Sequence, residues 1–352
     1  MNCLLIHLEL QSALGTPLAA DTLFGHICWG MYYNRGEKVL QQFLAEMAGK
    51  DPPLVISDPF PKGFLPAPVL PALTGDEKNE LLQFITDMNW ADLRRIPGFA
   101  GPDHAAGTPS RIEAHDVLKI LSRRRWLPID LIRETLSEIS LARLIDMQLR
   151  LTVNVPPEPV AALSPHNRIN RLSGGTVEGG LFFSEDTFIP DEARQYELYC
   201  LTSKYNEDEL GQVLEEALAG GYGRDKSIGR GVIKVLSIEP CQLPGCTEPN
   251  AVLLLGPCVP APSDPHEGYW ELSSKSGKLG GHWAVGPGPD GTHNPHKNPV
   301  VMLRSGTVLL TDSPEPFYGR MVEGIHPSIP EVVHYGLAPD LPLRIIKPED
   351  MS

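Results

Sequence analysis

The sequence predicts an α+β fold, and three observations carry that reading. With 33 glycines and 35 prolines in 352 residues, the chain is interrupted often, yet 41 % apolar and 21 % charged side chains are an ordinary globular balance. Short strands joined by long connections are therefore expected, not a helical bundle. Residues 196–238 read as strand, helix, glycine loop and strand, which is half of a ferredoxin-like unit. Beyond Pro240 the composition turns to Pro, Gly and Ser between short strand candidates. The chain is accordingly divided into residues 1–239 and a smaller β-rich part, 240–352.

Taken in order, residues 3–10 alternate apolar positions with His7 and Glu9 and form a first strand. Asp21 is placed to cap a helix through Leu23, Phe24, Ile27, Cys28 and Met31. A second helix is expected over 37–47, with Val39, Leu40, Phe43, Leu44 and Met47 on one face. The prolines of 58–71 predict an extended loop. Helical spacing returns over 77–88, again from Arg111, and over 129–144, with a Gly/Pro-rich stretch at 97–109. Asn206 and Glu209 form a capping box ahead of Leu210, Val213, Leu214, Ala217 and Leu218, and Gly220 and Gly221 stop that helix. Residues 232–238 are β-branched and strand-like. Further strands are expected at 251–255, 268–272, 300–303, 307–310 and 343–346.

The formal charge of −14 argues against a free-standing nucleic-acid binder, although a local basic patch can exist within an acidic chain. One such stretch is 111–150, with eight basic and six acidic residues. The run Arg123-Arg124-Arg125-Trp126 within it reads first as a solvated face. Six scattered cysteines without a CxxC pair suggest reduced thiols and no zinc site. His282, His293 and His296 share a loop but lack the spacing of a closed metal site. No cofactor is expected. With no recognisable signal peptide and no apolar run long enough to span a bilayer, a cytoplasmic protein without membrane contact is expected.

Two segments stand out for chemistry. In 220–231 the glycines allow close approach of the backbone to a phosphate, and Arg224, Lys226 and Arg230 against Asp225 leave a local charge of about +2. Tyr222 offers a stacking face for a base, and Ser227 lies between the basic residues. The loop follows a helix C-terminus, so attraction must come from side chains and amides, not from the helix dipole. An ordinary hairpin connection explains the same pattern about as well. The second segment holds His166, Asn167, Arg168 and Arg171 before Gly174-Gly175 and Gly180, and reads as a hairpin suited to phosphate and base-edge contacts. A surface hairpin stabilised by local hydrogen bonds is the plainer alternative.

A helix ending in GGYGRDKSIGRG resembles the G-rich loop of the RAMP superfamily of CRISPR proteins. Residues 19–25 (AADTLFG) resemble a signature of the family of subunit 4 in the type III-A Csm interference complex, with Asp21 and Thr22 at its centre. The proline run from Asp58, the segment from His166 to Arg171, the strand at Gly268, Lys297, residues 300–308 and His334-Tyr335-Gly336 are similar to later landmarks of that family, in order along the whole chain. Ala20 departs from the usual serine, which puts a hydroxyl contact there in doubt.

This resemblance implies two ferredoxin-like, RRM-related domains with a thumb-like β-hairpin. It implies a non-catalytic subunit that holds the 5′ repeat-derived handle of a CRISPR guide RNA and bridges the large polymerase-like subunit to the backbone RAMP subunit. Gly221, Gly223, Arg224, Lys226, Gly229 and Arg230 would hold the handle, with Asn167, Arg168 and Arg171 beside them. Trp29, Trp90 and Trp126 are candidate anchors for the large subunit. The alternative is a metal-independent endoribonuclease that cuts repeat RNA, with His26 or His166 moving the proton and Lys226 stabilising the charged intermediate.

Overall fold

The computed structural model describes residues 1–101, 107–151, 153–284, 286–287, 291 and 294–346. The first strand, β1 (Asn2–Leu10), turns Leu4, Ile6, Leu8 and Leu10 into the core and leaves His7 and Glu9 half-buried on its other face. Helix α1 (Ala20–Arg35) packs the same core through Leu23, Phe24, Ile27 and Met31, and α2 (Glu37–Met47) covers it with Phe43 and Met47. Asp21 is not the cap of α1. Ala19 occupies that position without a side-chain cap, and Asp21 lies in the first turn. The proline run is not wholly loop. After β2 (Leu54–Ile56) it contains β3 (Phe60–Pro61) and β4 (Phe64–Pro66), because short edge segments tolerate proline where no N–H is needed.

A helical insertion follows: α3 (Gly75–Asp87), α4 (Trp90–Leu93), α5 (Arg111–Ser122), β5 (Trp126–Pro128), α6 (Ile129–Thr135) and α7 (Leu141–Arg150). Thr74 with Glu77 and Ser110 with Glu113 close capping boxes that start α3 and α5. The single helix expected over 129–144 is two. Ile139 is drawn out to bridge Ile345, and Ser140 then caps α7 by accepting from the Arg143 N–H. Trp90 lies inside this helical cluster with Leu82, Ile85 and Leu121, so it is no surface anchor. The chain next forms a long hairpin, β6 (Val160–Ile169) and β7 (Thr176–Phe188), and returns to the first sheet as β8 (Gln195–Thr202), α8 (Glu207–Leu218) and β9 (Ile233–Pro240).

The first sheet runs β2-β8-β1-β9, all neighbours antiparallel, with β3 also on β8. Counting only β1, β2, β8 and β9, with α1 after the first and α8 after the third, this is the β-α-β-β-α-β ferredoxin-like arrangement. The helices α1 and α8 pack together so closely that a Cβ on Gly30 would lie 2.8 Å from the Ala217 nitrogen. The capping box of α8 is as read: Asn206 Oδ1 accepts from the Glu209 N–H at 2.9 Å and Glu209 accepts from the Asn206 N–H at 3.0 Å.

The remaining strands are β10 (Ala251–Leu254), β11 (Gly268–Tyr269), β12 (Leu272–Lys275), β13 (Val300–Leu303), β14 (Val308–Leu310), β15 (Phe317–Gly319) and β16 (Leu337–Leu343). The second sheet runs β11-β14-β10-β16-β15. With β10, β11, β14 and β16 as its four principal strands, it repeats the order of the first sheet. The two crossover helices of a ferredoxin-like unit are missing, however. Residues 255–267 and 311–336 cross the sheet without an α-helix. The strand expected at 268–272 divides into β11 and β12 at Trp270. The one expected at 343–346 lies earlier, because Pro339 and Pro342 mask β16 from a propensity reading. One face of this sheet (Leu253, Leu255, Val308, Leu341) packs on Phe60, Leu65, Leu127 and Ile132.

Candidate nucleic-acid interface

The glycine loop is closed at its neck. The Tyr222 N–H donates to the Gly231 carbonyl at 2.8 Å, and the Gly231 N–H donates to Ala13 at 2.8 Å. Gly231 is obligatory there: its φ is +68° and a Cβ would lie 2.0 Å from the Tyr222 carbonyl oxygen. Beyond the neck the chain makes one 3₁₀ turn, Lys226–Ile228, entered through Asp225 in the left-handed region at φ 61°. Lys226, Ser227, Ile228 and Gly229 form the exposed tip.

Tyr222 cannot stack on a base. Its ring is fully buried, and its hydroxyl donates to the Pro17 carbonyl and accepts from the Ala19 N–H, both at 2.9 Å. It thereby satisfies an amide at the start of α1 that no neighbouring side chain caps. Asp58 does the same for the next amide, its Oδ1 accepting from the Ala20 N–H at 2.8 Å. Burial pushes the Asp58 carboxyl up to about 7, against that hydrogen bond. His26 Nε2 accepts from the Gly223 N–H at 2.9 Å, and burial, with Lys226 nearby, lowers the imidazole to about 4. At neutral pH it is an uncharged core histidine with its acceptor nitrogen occupied.

The arginines of the loop turn toward the hairpin. Arg230 Nη2 lies 2.7 Å from Asp186 Oδ2, whose side chain is 1 % exposed, and Ser164 donates to the same oxygen at 2.8 Å. The Arg230 guanidinium also lies 5.7 Å over the Phe188 ring. Arg224 donates to the Glu185 carbonyl and pairs with Asp225 at 3.0 Å. Leu14 and Thr187 exchange backbone hydrogen bonds at the same level. Loop and hairpin base are thus one unit, and of the three basic side chains only Lys226 has no ion-pair or hydrogen-bond partner among the described residues.

The residues of the second segment lie elsewhere along the hairpin. Asp186 is opposite Ala162. Arg168 and Arg171 are six and nine residues beyond that level, so they stand about 20 Å or more from the loop at a strand rise of roughly 3.3 Å per residue. The loop is therefore not flanked by Asn167, Arg168 and Arg171. His166 is held by Ser184 (2.8 Å) and stacks on Phe182, whereas Asn167, Arg168 and Arg171 are exposed toward the turn that Asn170 and Gly175 close. The hairpin also exposes Leu163, Ile169, Leu181, Phe182 and Phe183.

Asp21 and Thr22 face inward. Lys275 Nζ, from β12, lies 2.6 Å from Asp21 Oδ2 and 2.8 Å from the Thr22 hydroxyl, and the Asp21 side chain is only 4 % exposed. His334 Nε2 is 3.7 Å from the same carboxylate, with its imidazole lowered to about 4 by burial, and Lys297 donates to the Val333 carbonyl at 2.9 Å. These two signature residues therefore fasten α1 to the second half of the chain. Asp186 and Lys275, which complete these networks, carry no local signal in the sequence, and Asp58 is marked there only as the start of the proline run. Among the described residues no cluster of three or more His, Cys, Asp or Glu is placed to hold a metal, and no helix is long and apolar enough to cross a membrane. His293 lies outside the described residues.

The molecule is thus an α+β chain with two sheets of ferredoxin-like order, a glycine loop and a long hairpin tied to it. Chains from two solved structures of a Csm1–Csm4 cassette, one in complex with pppApA and one with AMPPNP, share this fold. They match over 99 % of this chain and 100 % of their own, with TM-scores of 0.55 and 0.54 at 15 % and 16 % identity. The fold is therefore one found in that Csm1–Csm4 cassette. No family model matches the chain, and no curated protein matches it.

Proposed function

We propose that this chain is a non-catalytic, guide-RNA-holding subunit of a type III CRISPR effector complex. In this reading it grips the 5′ repeat-derived handle and bridges the large polymerase-like subunit to the backbone RAMP subunit, in the cytoplasm. The observation that carries the reading is the exposed tip Lys226–Gly229, a cationic, amide-rich turn held rigidly against the base of a long hairpin in a fold shared with the cassette chains. The exposed Asn167, Arg168 and Arg171 provide a second contact further along the same RNA strand. Gly221, Gly223 and Gly229 shape the turn, and Arg224 and Arg230 hold it.

The proposed division into 1–239 and 240–352 is supported by the two sheets, the last strand of the first ending at Pro240 and the first strand of the second beginning at Ala251. The non-catalytic reading is supported by His26, whose acceptor nitrogen is used by the Gly223 N–H, and by His166, which is bonded to Ser184.

The test is RNA binding across a salt series. Three to six phosphate contacts give a log–log slope of roughly −2 to −4 for single-stranded RNA. Lys226→Ala combined with Arg168→Ala and Arg171→Ala should make the slope shallower by about 2 and release the handle from the assembled complex. Retention of full-length guide with an unchanged slope would sink the proposal. Cleavage of labelled repeat RNA in EDTA, lost on His166→Ala, would replace it with the ribonuclease reading.

A further inference from the structure

Away from the loop and hairpin, Cys3 near the start of β1 and Cys241 just past the end of β9 bring their sulfur atoms to 2.7 Å. Register puts them there. β1 and β9 are antiparallel with Leu4 opposite Pro240, and the ladder continues one step, the Cys241 N–H donating to the Cys3 carbonyl at 3.0 Å. Directly opposed residues of antiparallel strands have Cα atoms about 4.5–5.5 Å apart. That lies within the roughly 4.4–6.8 Å that a disulfide spans. No other pair of cysteine sulfurs among the described residues comes within hydrogen-bond reach, and Cys200 and Cys258 are buried.

Access and reactivity agree with this placement. Both cysteines line an open cleft of about 760 Å³, walled also by Lys204, Tyr205 and Gln242, so a small thiol reagent reaches them. The hydrogen bond between the sulfurs lowers the Cys241 thiol from its ordinary value and raises Cys3, so Cys241 is the more acidic of the pair.

We propose that Cys3 and Cys241 form a reversible disulfide by exchange with a low-molecular-weight disulfide such as oxidised glutathione, fastening the connector between the two sheets to the first strand. Cys241 gives up its proton, and its thiolate attacks one glutathione sulfur, breaks the S–S bond and expels one glutathione thiolate. Cys3 then gives up its proton and attacks the Cys241 sulfur of the mixed disulfide, expelling the second. The protein pair loses two electrons, glutathione disulfide gains them, and both thiol protons leave with the two glutathione molecules.

The full-length chain, incubated with oxidised glutathione and then denatured, should titrate four thiols where the reduced chain titrates six. Non-reducing peptide mapping should find the peptides of Cys3 and Cys241 joined, and dithiothreitol should restore all six. In Cys3→Ser, Cys241 should stop at the mixed disulfide, while Cys246→Ser should leave the crosslink intact. The proposal is overturned if the wild-type chain keeps six thiols, carries glutathione stably on Cys3 or Cys241, or joins a different pair. Mapping the unaltered chain decides the matter even if a variant folds poorly.

Discussion

Replacing Arg230 by alanine separates holding the loop from holding RNA. Arg230 is 25 % exposed, but its partner carboxylate, Asp186, is almost wholly buried and keeps only the Ser164 hydroxyl once the guanidinium is gone. Removing one member of a fully buried pair costs about 3–5 kcal/mol, because the remaining charge is stranded. A single charged hydrogen bond contributes about 1.5–3 kcal/mol. The partial exposure of Arg230 moves the expectation to the lower end, about 2–3 kcal/mol. Urea unfolding of the intact chain measures that loss, and limited proteolysis within 160–188 locates it at the hairpin. Asp186→Ala in the same chain removes the stranded charge, so the double variant should be more stable than the sum of the single losses predicts. Lys226→Ala, at the exposed tip, should leave the unfolding free energy within about 0.5 kcal/mol of wild type and act on RNA affinity alone. If Arg230→Ala unfolds like wild type and weakens RNA binding as much as Lys226→Ala, the arginine faces the RNA and the strut is refuted.

Gly30→Ala should destabilise by about 1–3 kcal/mol in urea, since the new methyl meets the Ala217 backbone and α1 must move from α8. Tyr222→Phe should cost about 0.5–1.5 kcal/mol by the same measurement, through a Pro17 carbonyl and Ala19 amide left without their partner. RNA affinity per folded molecule should be unchanged, and a selective loss of base binding would restore the stacking role. Asp58 has its folded-state pKa raised to about 7 from 3.8, so the folded chain binds this proton more tightly than the unfolded one. Its contribution to stability is full below about pH 4 and is lost as pH rises to about 7. Asp58→Asn removes that dependence, so its stability relative to wild type should climb across this interval in urea midpoints measured at several pH values. A flat difference would contradict the assignment.

The parts legible in the sequence were those written locally. The apolar stripe of 37–47 and the Asn206–Glu209 box announce their helices within a few residues, and the glycines of 220–231 mark a turn wherever it points. What failed depended on distant partners. Ile139 leaves a helical pattern for a bridge to Ile345, and β16 survives two prolines because its neighbours supply the pairing. The arginines of the loop looked free because Asp186 and Glu185 lie some forty residues earlier in the chain. Nothing adjacent to Tyr222 in the sequence reveals that its ring is covered. Even the signature Asp21 and Thr22 are read correctly only beside Lys275, more than 250 residues away.

The start of α1 has a temporal side. Its first free amides, on Ala19 and Ala20, are closed by a hydroxyl at position 222 and a carboxylate at position 58, so a helix within the first tenth of the chain is finished only when residues near the two-thirds point have arrived. During synthesis the first strand and helix are made early and remain frayed at their junction. The glycine loop then supplies the Tyr222 hydroxyl, and β9, which follows it in the chain, adds the last strand beside β1. Pulsed hydrogen exchange during refolding should find the amides of Ala19 and Ala20 protected together with that of Gly231, and later than those in the middle of α1.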